Sequence, residues 1–452
     1  MLRMLNRKAT VLWHYFLDRY MQRWANRRSF EEWQEAKVKA HLQLIRESST
    51  FYQELWTGLA LSKWREFPII DKQLMMDHFD SLNTVGIRKE EAFALALKAE
   101  STRDFTPQLN GITIGLSSGT SGNRGLFVVS PQEQYAWAGR VLSKVLPGSL
   151  LASHRIAFFL RANSNLYGSV SGARLRFEFF DLIEPMQQHI HRLNTYLPNL
   201  WIAPPSVLRL LADAYLQGRL AVKPQRMVSV AEVLDPLDRQ YIESVFQLPI
   251  HQVYQCTEGF LAATCAHGTL HLNEDIVAFQ KESMDGGRRF VPILTDFTRT
   301  SQPLIRYRLN DLLVERSRPC PCGSLMTGIE AVEGRCDDLF YLPHTVDQEL
   351  VPVFPDLITR AIMGAAPTAV AYHIVQFAPD RIELSLKFAV DTSTTMDFIY
   401  STVQLALETL FIRMNCKKPN LLMTPYETIV PGTRKLRRVE RRFSIEASHS
   451  NL

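Results

Sequence analysis

The chain has 452 residues, 46% of them hydrophobic and 21% charged, which is the profile of an ordinary globular protein of two to four domains. Its net charge of +5 is mild and comes with no recognised nucleic-acid motif, so the composition argues against nucleic acid as a partner and is compatible with an anionic substrate. The sequence has no apolar run of about eighteen residues, which excludes a transmembrane helix.

The first residues, MLRMLNRKATVLWHYFLDRYMQRW, have neither a clean apolar core nor a small-residue cleavage site. This is not a signal peptide, and a cytoplasmic protein is expected. Aromatic and basic residues alternate here, a pattern that fits a packed amphipathic helix better than an interfacial one. Helical spacing continues from residue 8 to residue 60 and returns over 90–100, with Asp71 positioned to cap a helix after Pro68-Ile-Ile. From 112 to 280, short apolar strands alternate with helices. The strands are Ile156–Leu160, Phe177–Phe180, Trp201–Ala203, Met227–Val230 and Ile250–Tyr254, and the helices include Ser206–Leu216 and Pro236–Phe246. This is the pattern of a layered α/β domain. Residues 290–316 read as β-rich. Beyond a boundary at Gly334-Arg335 the rhythm changes to a small α+β module, with strands Ala369–Phe377, Arg381–Phe388 and Leu421–Val430 and helices Asp356–Met363 and Met396–Met414. The expected architecture is a large N-terminal α/β domain, 1–334, and a small mobile α+β domain, 335–452.

Four segments carry chemistry. The run Leu116-Ser-Ser-Gly-Thr-Ser-Gly-Asn-Arg-Gly125 puts glycines and hydroxyls after an apolar strand, a composition that lets backbone N–H groups wrap a phosphate. It is not a Walker loop. Tyr254-Gln-Cys-Thr-Glu258 ends a strand with an aromatic to stack on a purine, a hydroxyl for a phosphate oxygen and a carboxylate for Mg²⁺. Pro303-Leu-Ile-Arg-Tyr-Arg-Leu-Asn-Asp311 ends a strand on a carboxylate suited to two ribose hydroxyls. Gly334-Arg-Cys-Asp-Asp338 places Arg335 for phosphate or ribose and Asp337 as a hinge. Without a ligand, each of the four reads as a polar turn or linker.

The sequence holds six cysteines, and without a signal peptide disulfides are not expected. Cys320 and Cys322 form a tight pair, and Cys265 sits in a hairpin turning at Gly268 that brings it near His271, with His267 as the alternative. Three thiolates and one imidazole complete a closed, structural tetrahedral zinc site; unligated buried thiols are the competing reading.

The order SSGTSG, YxxTE, PLIRYRxxD, CPCG, GRxDD and a late lysine resembles the adenylate-forming enzymes over about Pro68 to Arg438, and within them the phenylacetate–CoA ligase and coenzyme F390 synthetase-like branch. The resemblance implies that Ser118, Gly119, Thr120, Ser121 and Gly122 hold the ATP phosphates, with Tyr254 beside the adenine. It also implies Thr257 and Glu258 at the phosphate and Mg²⁺, Asp311 on the ribose with Arg335 nearby, and Asp337 as pivot. Lys435, within Gly432-Thr-Arg-Lys-Leu-Arg-Arg438, would reach the acyl phosphate. Some members of the branch carry a zinc site of this kind. Tyr167, Gly168, Ala231 and Glu232 are the expected acyl-pocket residues. Four departures stand out: Arg124 where a Pro-Lys pair is common, Gln255 and Asn310 in place of glycines, and Arg434 before the lysine.

The implied activity is ATP-dependent activation of an aryl or hydrophobic carboxylic acid as acyl-adenylate with pyrophosphate release. The acyl group then passes to CoA, an acyl-carrier protein or an amine. Cofactors are ATP, Mg²⁺, structural Zn²⁺ and CoA, and a dimer is the expected oligomeric state. The four departures support a second reading, a nucleotide-binding or scaffold protein of the same fold with weakened catalysis. A Ser/His hydrolase is disfavoured because a GxSxG elbow is absent.

Overall fold

The computed structural model describes residues 2–21, 23–117, 124–150, 152–160, 172, 174–182, 184–284, 286–335, 338–388, 396–427 and 437–443. The chain forms two compact units. One is Met1–Leu309 with Val314–Ala331, and the other is Asn310–Leu313 with Val332–Leu452. The division runs through the strands Asp311–Glu315 and Gly328–Arg335, shortly before the expected boundary.

The first unit is an α/β structure around a sheet. Five strands run parallel in the spatial order Leu175–Asp181, His154–Leu160, Leu200–Ala203, Arg226–Ser229 and Ile250–Cys256. The central strand Leu200–Ala203 is buried and apolar on both faces because both faces are covered. Ala157, Phe159, Trp201 and Met227 pack on one side against the helices Pro205–Leu216 and Pro236–Phe246 through Leu208, Leu211, Ile242 and Phe246. Ile156, Phe158, Ile202 and Val228 face the other way, into the core shared with the N-terminal helices and the helix Pro131–Val145. Ser130 and Glu133 form a capping box that starts this last helix, with Pro131 at its first position. The sheet then turns antiparallel through Gly259–Thr264 and Leu270–Leu272.

The N-terminal helices are Leu2–Phe16, Arg27–Ser48 and Thr50–Leu55, with a π-helical turn Leu17–Met21. Asp71 caps Lys72–Asp77 by accepting from Leu74 N at 2.8 Å.

One expectation is corrected. The PLIRYRxxD segment does not end a strand at Asp311. Arg306 is left-handed, with φ 49°, and Tyr307–Arg308 make only a short pairing with Arg289–Asp296. Asp311 therefore opens the next strand, Asp311–Glu315.

The second unit has a mixed sheet in the order Asn420–Met423, Arg381–Phe388, Ala369–Ala378, Val439–Arg441. Helices Pro355–Ala365 and Met396–Arg413 contribute Ile358, Ile362, Val403, Leu407 and Phe411 to its core. Gln376 is fully buried and bridges the ribbon Phe340–Pro343 by bonding Tyr341 N at 2.9 Å and Tyr341 O at 2.7 Å.

Candidate active site

A cavity of about 420 Å³ opens at the carboxyl ends of the parallel strands in the first unit. In open α/β sheets this is where ligands bind. Phe158, Val228 and Val253 come from the strands, Trp137 and Val141 from the helix Pro131–Val145, and Phe127 from the strand Leu126–Val129. Ala231, one of the expected acyl-pocket residues, lines the cavity with φ 66°, and Glu232 N donates back to Val230 O at 2.8 Å. This positive-φ γ-turn is rare for a residue with a β-carbon and reshapes the strand end toward the cavity. Glu232 accepts from Ser206 N at 3.2 Å and so ties this turn to the start of the helix Pro205–Leu216. Tyr167 and Gly168 lie outside the described residues.

Polar groups gather on one wall. Glu133 accepts from Ser130 N at 2.8 Å, Ser301 N at 2.8 Å and Thr300 N at 2.5 Å. Burial acts to raise its carboxyl, but the Ser301 and Ser130 hydrogen bonds outweigh it and hold the group below the usual range. Asp296, also buried, is shifted the other way. Burial pushes its carboxyl up, and the bonds from Thr298 N and Oγ1, both 2.8 Å, do not compensate. Arg299 donates to Thr257 O at 2.8 Å and to Gln302 Oε1 at 2.9 Å.

Thr257 and Glu258 form the two-residue turn between Ile250–Cys256 and Gly259–Thr264, and Gly259 takes φ 156°. Both carboxylate oxygens of Glu258 are held: Thr257 Oγ1 donates to Oε2 at 2.8 Å and Tyr307 OH to Oε1 at 3.1 Å. Burial first and the Glu258 charge second push the Tyr307 phenol far above its ordinary value, which keeps it a neutral donor. Tyr254 is half-buried in the strand and precedes an irregularity at Gln255, which is exposed.

Ser118, Gly119, Thr120, Ser121 and Gly122 lie outside the described residues, but the base of their loop is defined. Ser117 N donates to Gly125 O at 2.8 Å, and Gly125 N to Ser117 Oγ at 2.7 Å. Lys72 Nζ sits 3.1 Å from Ser117 Oγ, and a β-carbon on Gly125 would lie 2.8 Å from the Lys72 chain. Arg124, one of the four departures, is ion-paired with Glu100, and its Nε donates to Ser117 O at 3.5 Å. Sequence reasoning missed Lys72 because the residue lies 45 positions before its partner in another element.

In the second unit Arg335 Nε is 4.0 Å from Asp311 Oδ1, so two residues read from separate motifs lie together. Asp337 and Lys435 lie outside the described residues. The neighbour Asp338 is buried and accepts from Arg437 Nη1 at 3.1 Å, which ties the start of this unit to the chain just after Lys435.

Cys265, His271, Cys320 and Cys322 converge, with their ligand atoms all within 4.8 Å of one another. The hairpin turns at Gly268, with φ 78°, and Cys265 N donates to Thr269 O at 2.9 Å. Cys265 Sγ is 3.7 Å from Cys320 Sγ, and Cys322 Sγ is 3.4 Å from His271 Nε2. A tetrahedral zinc site has ligand–ligand edges of roughly 3.6–3.8 Å. His271 Nδ1 lies 3.0 Å from Met326 O, which leaves Nε2 facing the sulfurs. His267 is exposed in the turn.

No protein-family profile matches the chain. Over 160 residues, 34% of the chain, it is 27% identical to Protein CapK of Staphylococcus aureus, and it spans about one third of that protein's length (35%). Solved structures give broader coverage. The first is 2-hydroxyisobutyryl-CoA ligase in its postadenylation state in complex with 2-HIB-AMP: TM-score 0.68, 18% identity, 91% of this chain and 89% of that one. The chain has the fold of the adenylate-forming enzymes. The GH3.15 acyl acid amido synthetase shares it at TM-score 0.56 and 12% identity, over 87% of this chain and 86% of that one. Within the adenylate-forming fold, the Thr257-Glu258 turn and the cavity belong to the first unit, whereas Asp311 and Arg335 belong to the second. Among the described residues, no helix is long and apolar enough to cross a membrane.

Proposed function

We propose that this protein activates a hydrophobic or aryl carboxylic acid with ATP, forms an acyl-adenylate and releases pyrophosphate, then passes the acyl group to CoA, a carrier-protein thiol or an amine. The observation that carries this reading is the apolar cavity ending at a turn whose carboxylate, Glu258, is held by Thr257 and Tyr307. The mostly apolar wall suits a hydrophobic tail. A carboxylate oxygen of the acid attacks the α-phosphorus, the bond to the β-phosphate oxygen breaks, and its electrons leave with pyrophosphate.

Charge builds on the phosphate oxygens in that step, so positioned cations and N–H donors matter more than a base. Ser118, Gly119, Thr120, Ser121 and Gly122 cradle the phosphates, and Lys72 contributes a cation at the base of their loop. Tyr254 lies against the adenine, and Asp311 and Arg335 serve the ribose. Glu258 offers the hard oxygens Mg²⁺ prefers, and the ion's charge would neutralise the phosphates. Lys435 meets the acyl phosphate, and Asp337 is the pivot that lets it leave for the transfer step. Cys265, His271, Cys320 and Cys322 hold a structural zinc; with four ligands no position stays open for chemistry.

The test is pyrophosphate release from ATP and Mg²⁺ across aryl, fatty and amino acids, without acceptor. Release with one hydrophobic or aryl class is expected. ATP binding with silence across the panel would mark a nucleotide-binding protein that has lost the chemistry. In Lys435→Ala, adenylation should fall sharply while ATP binding persists.

A further inference from the structure

The helix Leu2–Phe16 and the turn Leu17–Met21 are fixed on one face only. Val11 and Tyr15 are buried, and the helix Pro131–Val145 approaches so closely that a β-carbon on Gly139 would lie 2.4 Å from the Val11 carbonyl oxygen. Arg19 donates to Ser143 O at 2.6 Å, and Asp18 bonds the Ser143 hydroxyl and lies 3.7 Å from Lys144. Among the described residues, the opposite face is exposed. Leu12, Trp13, Phe16, Tyr20 and Met21 are each between 44% and 58% exposed. Their spacing makes one stripe, and the Phe16 and Tyr20 rings lie 5.8 Å apart along it.

A contiguous apolar patch of this kind marks an interaction surface, and its rim says what it meets. Residues 1–24 hold five basic residues, Arg3, Arg7, Lys8, Arg19 and Arg23, against one acid, Asp18. The Asp18 side chain is 6% exposed and turned inward to Ser143 and Lys144, whereas Lys8 and Arg23 are exposed. Arg19 is likewise turned to Ser143 O, so among the described residues the aromatic and aliphatic surface takes its positive edge from the exposed Lys8 and Arg23. Tryptophan and tyrosine favour the boundary between lipid headgroups and acyl chains, and flanking basic residues favour anionic lipid. A second copy of the chain would present the same positive edge and be repelled.

We propose that this face docks on the surface of an anionic lipid bilayer, with the helix lying in the plane of the interface and Trp13, Phe16 and Tyr20 entering the headgroup boundary. The helix does not cross the bilayer, and the docking is independent of the reaction proposed above.

The test is sedimentation of the full-length protein with vesicles of phosphatidylcholine alone and of phosphatidylcholine mixed with phosphatidylserine. Binding to the mixed vesicles that weakens with added salt is expected. The double variant Trp13→Ala/Phe16→Ala, whose changes lie on the exposed face, should lower partitioning about tenfold or more without shifting the melting temperature. Lys8→Glu/Arg23→Glu should remove the preference for phosphatidylserine. Absent binding to the mixed vesicles at low salt would overturn the proposal, as would equal binding by the Trp13/Phe16 variant. Self-association in light scattering that this variant abolishes would overturn it in favour of a second copy.

Discussion

Two turns lie at opposite ends of the single strand Gly259–Thr264, and they are assembled differently. At its start, Thr257 and Glu258 make the tightest possible hairpin, and side-chain hydrogen bonds from Thr257 and Tyr307 aim a carboxylate. At its end, Cys265 begins a looser turn, where its thiol and the His271 imidazole meet the thiols of Cys320 and Cys322, with a backbone carbonyl behind the ring. The first arrangement leaves lone pairs of Glu258 for something from outside. The second closes on itself. A reacting site must keep valences open and a structural site must fill them. Changes at the first turn should therefore move rate, and changes at the second should move stability.

The largest effect is expected from Glu258→Gln, which keeps the shape and removes the charge. Acid-dependent pyrophosphate release should fall by about two to three orders of magnitude with the melting temperature nearly unchanged. A comparable loss of melting temperature would place Glu258 among the structural groups. Cys322→Ser sharpens the other side. Removing a zinc ligand from a closed site should lower the melting temperature by several degrees or more, and chelation should do the same to the wild type. A stable, metal-free wild type would contradict the zinc assignment. Tyr307→Phe keeps the buried ring and removes one bond to Glu258. Its activity should fall about tenfold, mostly in kcat.

The smallest effect is a pH dependence on the stability side. Asp275 follows the Cys265–His271 hairpin and is held down to about 2, although burial alone would raise it, because Lys144 lies 3.0 Å away. Asp18, hydrogen-bonded to Asp275 and 3.7 Å from Lys144, is pushed up to about 7, chiefly by burial. Between its ordinary value near 3.8 and about 7, the folded chain binds a proton at Asp18 that the unfolded chain has lost. Stability from this group therefore declines as pH rises through that window. Asp275 behaves oppositely, and its contribution is lost as pH falls from about 4 toward 2. Asp18→Asn should flatten the fall in melting temperature between about pH 4 and 7, as read by thermal denaturation across pH.

Much of this was legible in the sequence because it is local. Strand–helix alternation places Ile156–Leu160, Trp201–Ala203 and Pro236–Phe246 close to their observed elements. The Gly268 turn joins the paired strands Gly259–Thr264 and Leu270–Leu272 and so brings Cys265, just past Thr264, near His271. What escaped depends on contacts distant in sequence. Lys72 reaches Ser117 from a helix, Tyr307 buttresses Glu258 from another strand, and Glu100 pairs with Arg124 beside the loop. A left-handed Arg306 has no residue-type signature, so the pattern points to a strand ending at Asp311 where the structure has one beginning there.

The most direct measurement is isotope exchange between pyrophosphate and ATP, without acceptor, on the wild type, Glu258→Gln and Cys322→Ser side by side at low temperature. The account predicts acid-dependent exchange in the wild type and in Cys322→Ser, and its loss in Glu258→Gln. Exchange that ignores the acid, or that survives in Glu258→Gln, would contradict it.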